Sequence, residues 1–195
     1  MSKAVMLSIR PKWCEKIASG GKTIEVRKTR PKLQTPFKCY IYRTKGTVPH
    51  IINGKWAQME VGGTVIGEFT CDRIYGLAPL NHAPDDVEQQ ACLTREEIVR
   101  YLKGVGYGWH ISDLKIYDNP QELSKFRVED KPAIKACKHR FRAGQPEYVA
   151  RHGGWLQGGW GCMKNGEPEW CENCLTKPLT RPPQSWCYVE VMQDG

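Results

Sequence analysis

The sequence predicts an α+β domain in which several short strands are accompanied by short helices. Short runs with strand periodicity recur along the chain, most clearly over Lys22–Lys28 and Ser185–Met192. Two further segments carry the start and stop signals of helices, one beginning at Pro11 and one at Thr94. With 40% hydrophobic and 26% charged residues, the composition is that of an ordinary globular protein, which argues against wholesale disorder.

The N-terminal elements follow one another closely. The apolar run Ala4–Ile9 predicts a buried strand. Pro11 suits the first position of a helix, because its missing N–H costs nothing there, and Gly20 and Gly21 suit its end. The alternation over Lys22–Lys28 predicts a half-buried strand, or an extended segment, with its polar groups on one face.

Further strands are expected at Phe37–Tyr42, Thr64–Tyr75, Trp109–Tyr117 and, as the closing strand, Ser185–Met192. The glycine-rich stretch between the first two predicts a loop or a hairpin. Thr94 and Glu97 form the pattern of a capping box, so a helix is expected to begin there and to end at Gly104. A short helical turn is predicted over Pro120–Phe126.

The segment 132–183 has a different character from the rest of the chain. It is rich in Gly, Pro, Lys, Arg and Cys, and it shows weak periodicity and no obvious apolar face. A structureless loop of this length is unusual inside a compact domain. We therefore interpret 1–195 as a single domain that carries 132–183 as a Cys-rich, loop-rich insertion before the closing strand.

The positive charge lies at one end of the chain. The formal net charge is +8, but residues 1–45 alone carry +10 and the rest carry −2. A partner that bears phosphates, such as RNA, is the natural physical use of such a field, since neutralising phosphates releases counterions. A solvated basic face that aids solubility is the alternative.

Composition also bears on location. No stretch approaches the apolar length of a membrane span, and the N-terminal apolar run is too short and too soon charged for a signal peptide. We therefore expect a cytoplasmic protein with no membrane partner. In that reducing compartment the nine cysteines are expected to be core residues or metal ligands rather than disulfides.

Four cysteines in the insertion are candidate ligands of a structural zinc ion. Cys171 and Cys174 have the two-residue gap that lets both thiolates face one tetrahedral metal. Cys137 and Cys162 are the partners expected to complete the site, although a histidine nearby could replace either. The remaining cysteines sit in apolar patterns and are expected to be buried: Cys14, Cys39, Cys71, Cys92 and Cys187.

The stretch from Gly20 to Arg27 is the first candidate functional site. A glycine pair allows a tight turn, and three charged side chains follow within a few residues. On an extended segment Glu25 and Arg27 share a face and can pair, whereas Lys22 sits at the turn and projects on its own. A lysine beside a carboxylate is a candidate for proton transfer or for ligand binding. A surface strand with solvated charges is the alternative.

Gly20, Lys22, Glu25 and Arg27 match the Gly-x-Lys-x-x-Glu-x-Arg signature of the ASCH domain family, which is related to the PUA RNA-binding domains. The resemblance extends to other segments in order. Leu7–Trp13 is similar to the family's opening strand and helix, and Gly67–Thr70 is similar to its central strand. Gly108–Ser112 and Pro182–Val189 resemble the later strands of one branch found in bacteria and phages. Together they cover most of the chain outside the Cys-rich part.

The resemblance implies a PUA-like small β-barrel of about five or six strands with short flanking helices, and a cleft where the motif meets the barrel mouth. It implies binding of RNA or of a modified nucleotide. The residues expected to bind are Lys22, Glu25, Arg27, Arg10, Lys12, Trp109, His110 and Trp186. The aromatic residues are candidates for stacking on a base, and their alternative is a place in the core.

The resemblance also leaves an enzymatic alternative. Some small ASCH proteins are amidohydrolases that deacetylate acetylcytidine with a lysine of this motif, a threonine three residues later and a distant glutamate. Lys22 matches that lysine, Glu25 occupies the threonine position, and Glu88 is the nearest candidate for the glutamate. An amidohydrolase or a ribonuclease with Lys22 and Glu25 as catalytic groups is thus one alternative. A protein-interaction module that uses the Cys-rich insertion is another.

Overall fold

A computed structural model of the 195-residue chain describes residues 3–77, 83–129, 140–142, 160–164, 167–169 and 176–192. The chain divides into two compact units. The first unit is Met1–Phe126 together with Thr180–Gly195, and the second is Arg127–Leu179. In the part of the chain that is described, no helix has the length and apolar character needed to cross a membrane.

The first unit contains most of the described strands and all the described α-helices. In chain order its elements are β1 (Lys3–Ile9), α1 (Pro11–Ala18), β2 (Ile24–Arg27), β3 (Phe37–Arg43), β4 (Gly46–Ile52), β5 (Lys55–Val61), β6 (Thr64–Cys71), β7 (Ile74–Gly76), α2 (Val87–Ala91), α3 (Arg95–Leu102), β8 (Tyr107–His110), β9 (Ser112–Glu122) and a 3-10 helix (Leu123–Lys125). The second unit holds β10 (Arg127–Glu129), β11 (Arg140–Arg142), β12 (Trp160–Lys164), β13 (Glu167–Glu169) and β14 (Thr176–Pro178). The chain then returns to the first unit with β15 (Trp186–Glu190).

The main sheet has five strands in the order β15-β1-β3-β6-β9. Strands β1 and β3 are parallel, and the other neighbours are antiparallel. A barrel closes only when its edge strands pair, directly or through further strands. In the described residues β2, β8 and β7 instead form a separate three-stranded sheet, and β9 and β15 remain edges. The α+β class is confirmed, whereas the described sheets are open and do not form the predicted barrel.

Strand β1 is an interior strand of the main sheet and is buried on both faces. The side chains from Ala4 to Leu7 have no exposed surface, which explains why the strand reads as a continuous apolar run. Cys14 and Ile17 of α1 pack with Val5 and Leu7 of β1 in a first buried apolar cluster. They are one helical turn apart, and Pro11 stands at the first position of α1 as the sequence predicts.

A second apolar cluster joins β2 to the two later helices. Ile24 and Val26 of β2 pack in one buried cluster with Val87 and Ala91 of α2 and with Ile98 of α3. The capping box predicted for α3 is present. The Thr94 hydroxyl accepts from the Glu97 N–H at 3.2 Å, and the Glu97 carboxylate accepts from the Thr94 N–H at 2.9 Å.

Two predicted strands are each divided in the structure. Thr64–Tyr75 becomes β6 and β7, and the Trp109–Tyr117 region becomes β8 and β9. The second division occurs because β8 pairs with β2 whereas β9 pairs with β6 in the main sheet. The glycine-rich stretch is a hairpin, β4–β5, whose turn at Asn53 and Gly54 has positive φ at both residues.

The second unit consists, in its described residues, of short paired strands. Strand β10 pairs with β14, and β12 lies between β11 and β13. The Arg127 guanidinium donates to the hydroxyl of Thr176 at 2.8 Å and to its carbonyl at 2.9 Å. The single-domain interpretation with an insertion at 132–183 stays a prediction.

Candidate functional site

A cleft of about 510 Å³ opens in the first unit where the charged motif meets α1 and α3. Its lining comes from the end of β1 and the start of α1, from the motif around β2, from α3, and from the segment just before β15. Lys22, Glu25 and Arg27 all contribute to this lining. All three are largely buried, with exposed fractions of 2%, 7% and 7%.

Lys22 is held at the base of the cleft by the backbone. Its Nζ donates to the carbonyl of Ile24 at 2.8 Å and to that of Ala91 at 2.7 Å. The backbone N–H of Lys22 donates to the Lys16 carbonyl at the end of α1, at 2.9 Å. Lys22 therefore does not project on its own from a turn, as the sequence suggests. It is a buried cation fixed between α2 and β2.

Glu25 bridges the two cations of the motif. Its Oε2 lies 3.4 Å from the Nζ of Lys22, and its Oε1 lies 3.0 Å from Nη2 of Arg27. The predicted pairing of Glu25 with Arg27 is thus confirmed. A buried ion pair is tolerated only when further hydrogen bonds replace its lost hydration, and the contacts of Lys22 and Arg27 with carbonyl oxygens supply them.

Arg27 connects β2 to both ends of the chain. Nη2 donates to the Ser8 carbonyl at 2.8 Å, and Nη1 donates to the carbonyl and the hydroxyl of Ser185 at 3.3 and 3.2 Å. The buried Nε has no hydrogen-bond acceptor among the described residues. These contacts fix the guanidinium plane beside Glu25.

The burial of β2 differs from the half-buried strand that the alternation predicts. All four residues of β2 are buried. Ile24 and Val26 face the second apolar cluster, and the polar side chains of Glu25 and Arg27 are buried because ion pairs and carbonyl oxygens compensate their charges. Alternation alone shows which residues share a face, but it does not show whether that face meets water.

Two aromatic residues border the cleft. The Trp13 ring centroid lies 5.2 Å from the Nζ of Lys22, and Tyr101 on α3 is 44% exposed. Both line the cleft. Neither residue is among the predicted site residues, because helical spacing does not distinguish an apolar stripe that packs on the core from one that borders an opening.

The two basic residues predicted before the motif have different positions. Arg10 is exposed and lines the cleft. Lys12 is also exposed, with its Nζ 4.7 Å from the Trp13 ring centroid, but it is not among the lining residues. Glu97 on α3 adds a carboxylate to the lining, whereas its sequence pattern predicts only a helix cap.

The predicted aromatic binding residues lie elsewhere. Trp109 has no exposed surface and packs edge-on against Phe37 in the main core, with centroids 5.8 Å apart. Trp186 donates from Nε1 to the Thr29 hydroxyl at 2.9 Å and lies 6.0 Å from the Trp109 ring. Neither residue lines the cleft. Trp109 in particular offers no face for a base, which agrees with the alternative of a core role.

His110 pairs with a carboxylate outside the cleft. Its Nδ1 lies 2.6 Å from Oδ1 of Asp72. Partial burial works to raise the pKa of Asp72, but the hydrogen bond and the charge of His110 outweigh it and leave that pKa below its ordinary value. Glu88 is likewise away from the lining and pairs with Arg95 at 2.8 Å.

Of the five cysteines expected to be buried, three are buried in the structure. Cys14, Cys39 and Cys71 are buried, and Cys92 and Cys187 are partly exposed. Burial raises the pKa of Cys14 and of Cys71 to about 12 and that of Cys187 to about 11, so these thiols stay protonated.

The predicted zinc ligands lie outside what the structure describes. Cys137, Cys171 and Cys174 are not among the described residues, and of Cys162 only the backbone in β12 is described. Across the described residues there is no group of three or more His, Cys, Asp and Glu side chains that could hold a metal.

Fold and site together define an α+β protein with an open five-stranded sheet and a cleft whose base is a buried lysine–glutamate–arginine triad. No protein-family model and no curated protein matches the chain. Among solved structures, the chain is similar to the ASCH protein of Zymomonas mobilis, with 18% identity and a TM-score of 0.48 over 71% of this chain and 81% of that one. Two mutant forms of that protein are similar as well, with 18% identity and TM-scores of 0.48 and 0.47 over 71% and 72% of this chain and 82% and 85% of theirs.

Proposed function

We propose that the cleft binds RNA or a modified nucleotide. The observation that carries the proposal is the buried triad of Lys22, Glu25 and Arg27 at the base of a cleft bordered by Trp13 and Tyr101. The charged residues at the floor of the cleft would contact the polar edge of the nucleobase. The aromatic side chains at its walls would contact the flat face of the ring.

The individual groups suit a nucleotide. The Tyr101 ring is exposed enough to stack on a base, and such stacking contributes about 1–3 kcal/mol per base. Glu25 and Glu97 are carboxylates in the lining, and carboxylates can accept hydrogen bonds from the N–H groups of a nucleobase. Arg10 is an exposed cation at the same cleft and suits a phosphate.

The charge distribution supports an anionic partner. The lining contains three cations, Arg10, Lys22 and Arg27, against the two carboxylates. They belong to the N-terminal 45 residues, whose net charge is +10. A cleft in such a field attracts polyanions and raises their association rate.

The contacts of Lys22 favour a role in binding over the enzymatic alternative. Two of its N–H groups are directed to carbonyl oxygens and its charge is paired with Glu25, so Lys22 acts as a fixed charge that orients Glu25. The amidohydrolase or ribonuclease alternative stays a prediction. Its test is incubation with acetylcytidine and with labelled RNA, where a product that disappears with a Lys22→Met variant shown to be folded by circular dichroism would support it.

Tyr101→Ala tests the proposal. Trp56→Ala is the matched control, because Trp56 is an aromatic residue with 76% exposure on the β4–β5 hairpin and does not line the cleft. Because Tyr101→Ala removes the stacking contact with one base, it is expected to weaken the binding of a labelled single-stranded RNA about tenfold. Fluorescence anisotropy measures this binding. The control should bind like the unaltered protein. Equal binding by all three proteins would overturn the proposal.

A structural zinc ion in the Cys-rich segment is a separate proposal. Cys137, Cys162, Cys171 and Cys174 are its proposed ligands, and the support is the Cys-x-x-Cys spacing. A reducing cytoplasmic location belongs to the same proposal, because thiolates bind zinc only when the cysteines are reduced. Metal analysis of protein purified without added metal is expected to give about one zinc per chain. A content near zero would exclude it, and so would full retention after Cys171→Ser and Cys174→Ser.

A further inference from the structure

We infer that the segment 28–32 is a binding track for single-stranded RNA outside the cleft, an inference that rests on the proposed function. The track consists of three exposed cations, Lys28, Arg30 and Lys32, and of the tyrosines beside them. It would hold the phosphates and bases that flank the nucleotide bound in the cleft.

The first two cations each lie over the ring of a tyrosine. The Nζ of Lys28 is 5.4 Å from the ring centroid of Tyr101, and the guanidinium carbon of Arg30 is 5.5 Å from that of Tyr107. Cations at these distances are attracted to the face of the ring. A planar guanidinium over a ring also presents its second face to an incoming base.

Lys32, the third cation of the track, is held in place by its backbone. The N–H of Lys32 donates to the Tyr188 hydroxyl at 2.7 Å, so its side chain is not needed to hold the segment in place. The Nζ of Lys3 lies 5.7 Å from the same Tyr188 ring. The track therefore alternates cations with aromatic rings, which is the composition of surfaces that bind single strands without sequence preference.

Within the part of the chain that the structure describes, no carboxylate pairs with the cations of the track. Among the described residues, none of the three cations forms an ion pair, whereas Lys38 and Arg95 pair with glutamates at 3.0 and 2.8 Å. Positive charge without acidic neighbours is available to phosphates and gives salt-dependent binding. No large exposed apolar side chain lies in the segment, which favours RNA over a lipid surface.

The track is continuous with the cleft. It begins directly after Arg27, and the Tyr101 ring under Lys28 also lines the cleft. A segment of this length spans at most about 13 Å, which is at most about four stacked nucleotides at ~3.4 Å each. A strand with one nucleotide in the cleft would thus pass its neighbours along Lys28, Arg30 and Lys32.

The test compares two proteins that have lost the same charge. One carries Lys28→Ala, Arg30→Ala and Lys32→Ala; the control carries Lys16→Ala, Lys115→Ala and Lys125→Ala, which are exposed lysines of other elements outside the cleft lining. The probes are a labelled single-stranded RNA of about 12 nucleotides and a labelled mononucleotide. Binding is measured from about 50 to about 300 mM salt.

The track variant is expected to bind the RNA at least about tenfold more weakly at low salt. The slope of log K against log salt should fall by about 2, because each phosphate contact on a single strand contributes ~0.7. The control should keep the slope of the unaltered protein, and both should bind the mononucleotide equally. A further variant, Tyr107→Leu, should weaken RNA binding with little change in slope, since it removes stacking without removing charge.

Equal slopes for the two triple variants would overturn the track and leave the proposed function intact. If the unaltered protein binds neither probe, the proposed function fails and the track fails with it. Track-dependent binding to phosphatidylserine vesicles without RNA binding would also overturn the inference and assign the segment to a membrane surface.

Discussion

The Nζ of Lys22 donates a hydrogen bond to the carbonyl oxygen of Ala91 at 2.7 Å, although the two residues are 69 positions apart. Ala91 is the last residue of α2, so the lysine of the motif attaches that helix to β2. The same ammonium group holds Glu25. Lys22 therefore contributes both to the fold of the first unit and to the geometry of the cleft, and its variants should change both.

Lys22→Met is expected to destabilise the protein by about 3–5 kcal/mol, because it breaks a buried ion pair and leaves two carbonyl groups without their donor. Urea unfolding followed by circular dichroism measures the change. Lys16→Met is the control, since Lys16 is exposed on α1 and its replacement should change the free energy of unfolding by less than about 0.5 kcal/mol. Equal stability of the two variants would show that the Lys22 contacts contribute nothing.

The effects of Glu25→Gln and Lys22→Met on the free energy of unfolding should not be additive. Both changes disrupt the same ion pair, so the double variant should be less destabilised than the sum of the single variants, with a coupling energy of about 0.5–3 kcal/mol. A double-mutant cycle from urea unfolding gives this value. Strict additivity would mean that the 3.4 Å pair does not form in solution.

Glu68 is expected to make stability depend on acid pH. Burial works to raise its pKa, but hydrogen bonds from Tyr117 and Lys38 outweigh this effect and hold the pKa below its ordinary value of 4.5. A lowered pKa in the folded state means that the stabilisation is present above pH 4.5 and is lost as pH falls below it. Urea unfolding from about pH 3 to about pH 7 should show this loss. Glu68→Gln should show a shallower acid dependence, and an unchanged profile would contradict the assignment.

The buried thiols should resist alkylation in the folded protein. Cys14, Cys39 and Cys71 are buried, and burial raises their pKa values, whereas alkylation needs an accessible thiolate. Iodoacetamide labelling with peptide mapping should therefore modify Cys92 before these three. In urea all four should react. Early labelling of Cys71 would place it outside the core.

Gly67→Ala should destabilise the main sheet. A Cβ atom there would meet the backbone carbonyl of Lys115 on β9, and backbone cannot move aside as a side chain can. Overpacking of this kind costs about 1–3 kcal/mol. Gly76→Ala is the control, because its Cβ meets nothing within 4 Å, and it should change stability by less than about 0.5 kcal/mol.

Elements with local signals could be predicted from the sequence. The capping box at Thr94 and Glu97, the proline at the start of α1 and the apolar run of β1 each depend on residues a few positions apart. The pairing of Glu25 with Arg27 followed from their shared face on a strand. Such interactions need no knowledge of distant partners.

Features that depend on distant partners could not be predicted. The burial of Lys22 depends on Ala91. The division of the predicted strand Trp109–Tyr117 into β8 and β9 depends on which sheet each half joins. The cleft likewise combines Tyr101 and Pro182 with the motif. Periodicity shows on which face of an element a residue lies, but it does not show what covers that face. The barrel, and Trp109 and Trp186 as binding residues, were therefore predicted without knowledge of the neighbouring elements.

Strand β15 lies at the end of the chain, yet it pairs with β1 near its start, with Lys3 opposite Glu190. The acceptors for Arg27 at Ser185 and the cleft residues Pro182–Gln184 come from the same late segment. During synthesis on a ribosome the motif therefore emerges long before the residues that complete its surroundings. Until then one edge of β1 is unpaired and Arg27 lacks its acceptors at Ser185. An unpaired strand edge is a site at which nascent chains can aggregate.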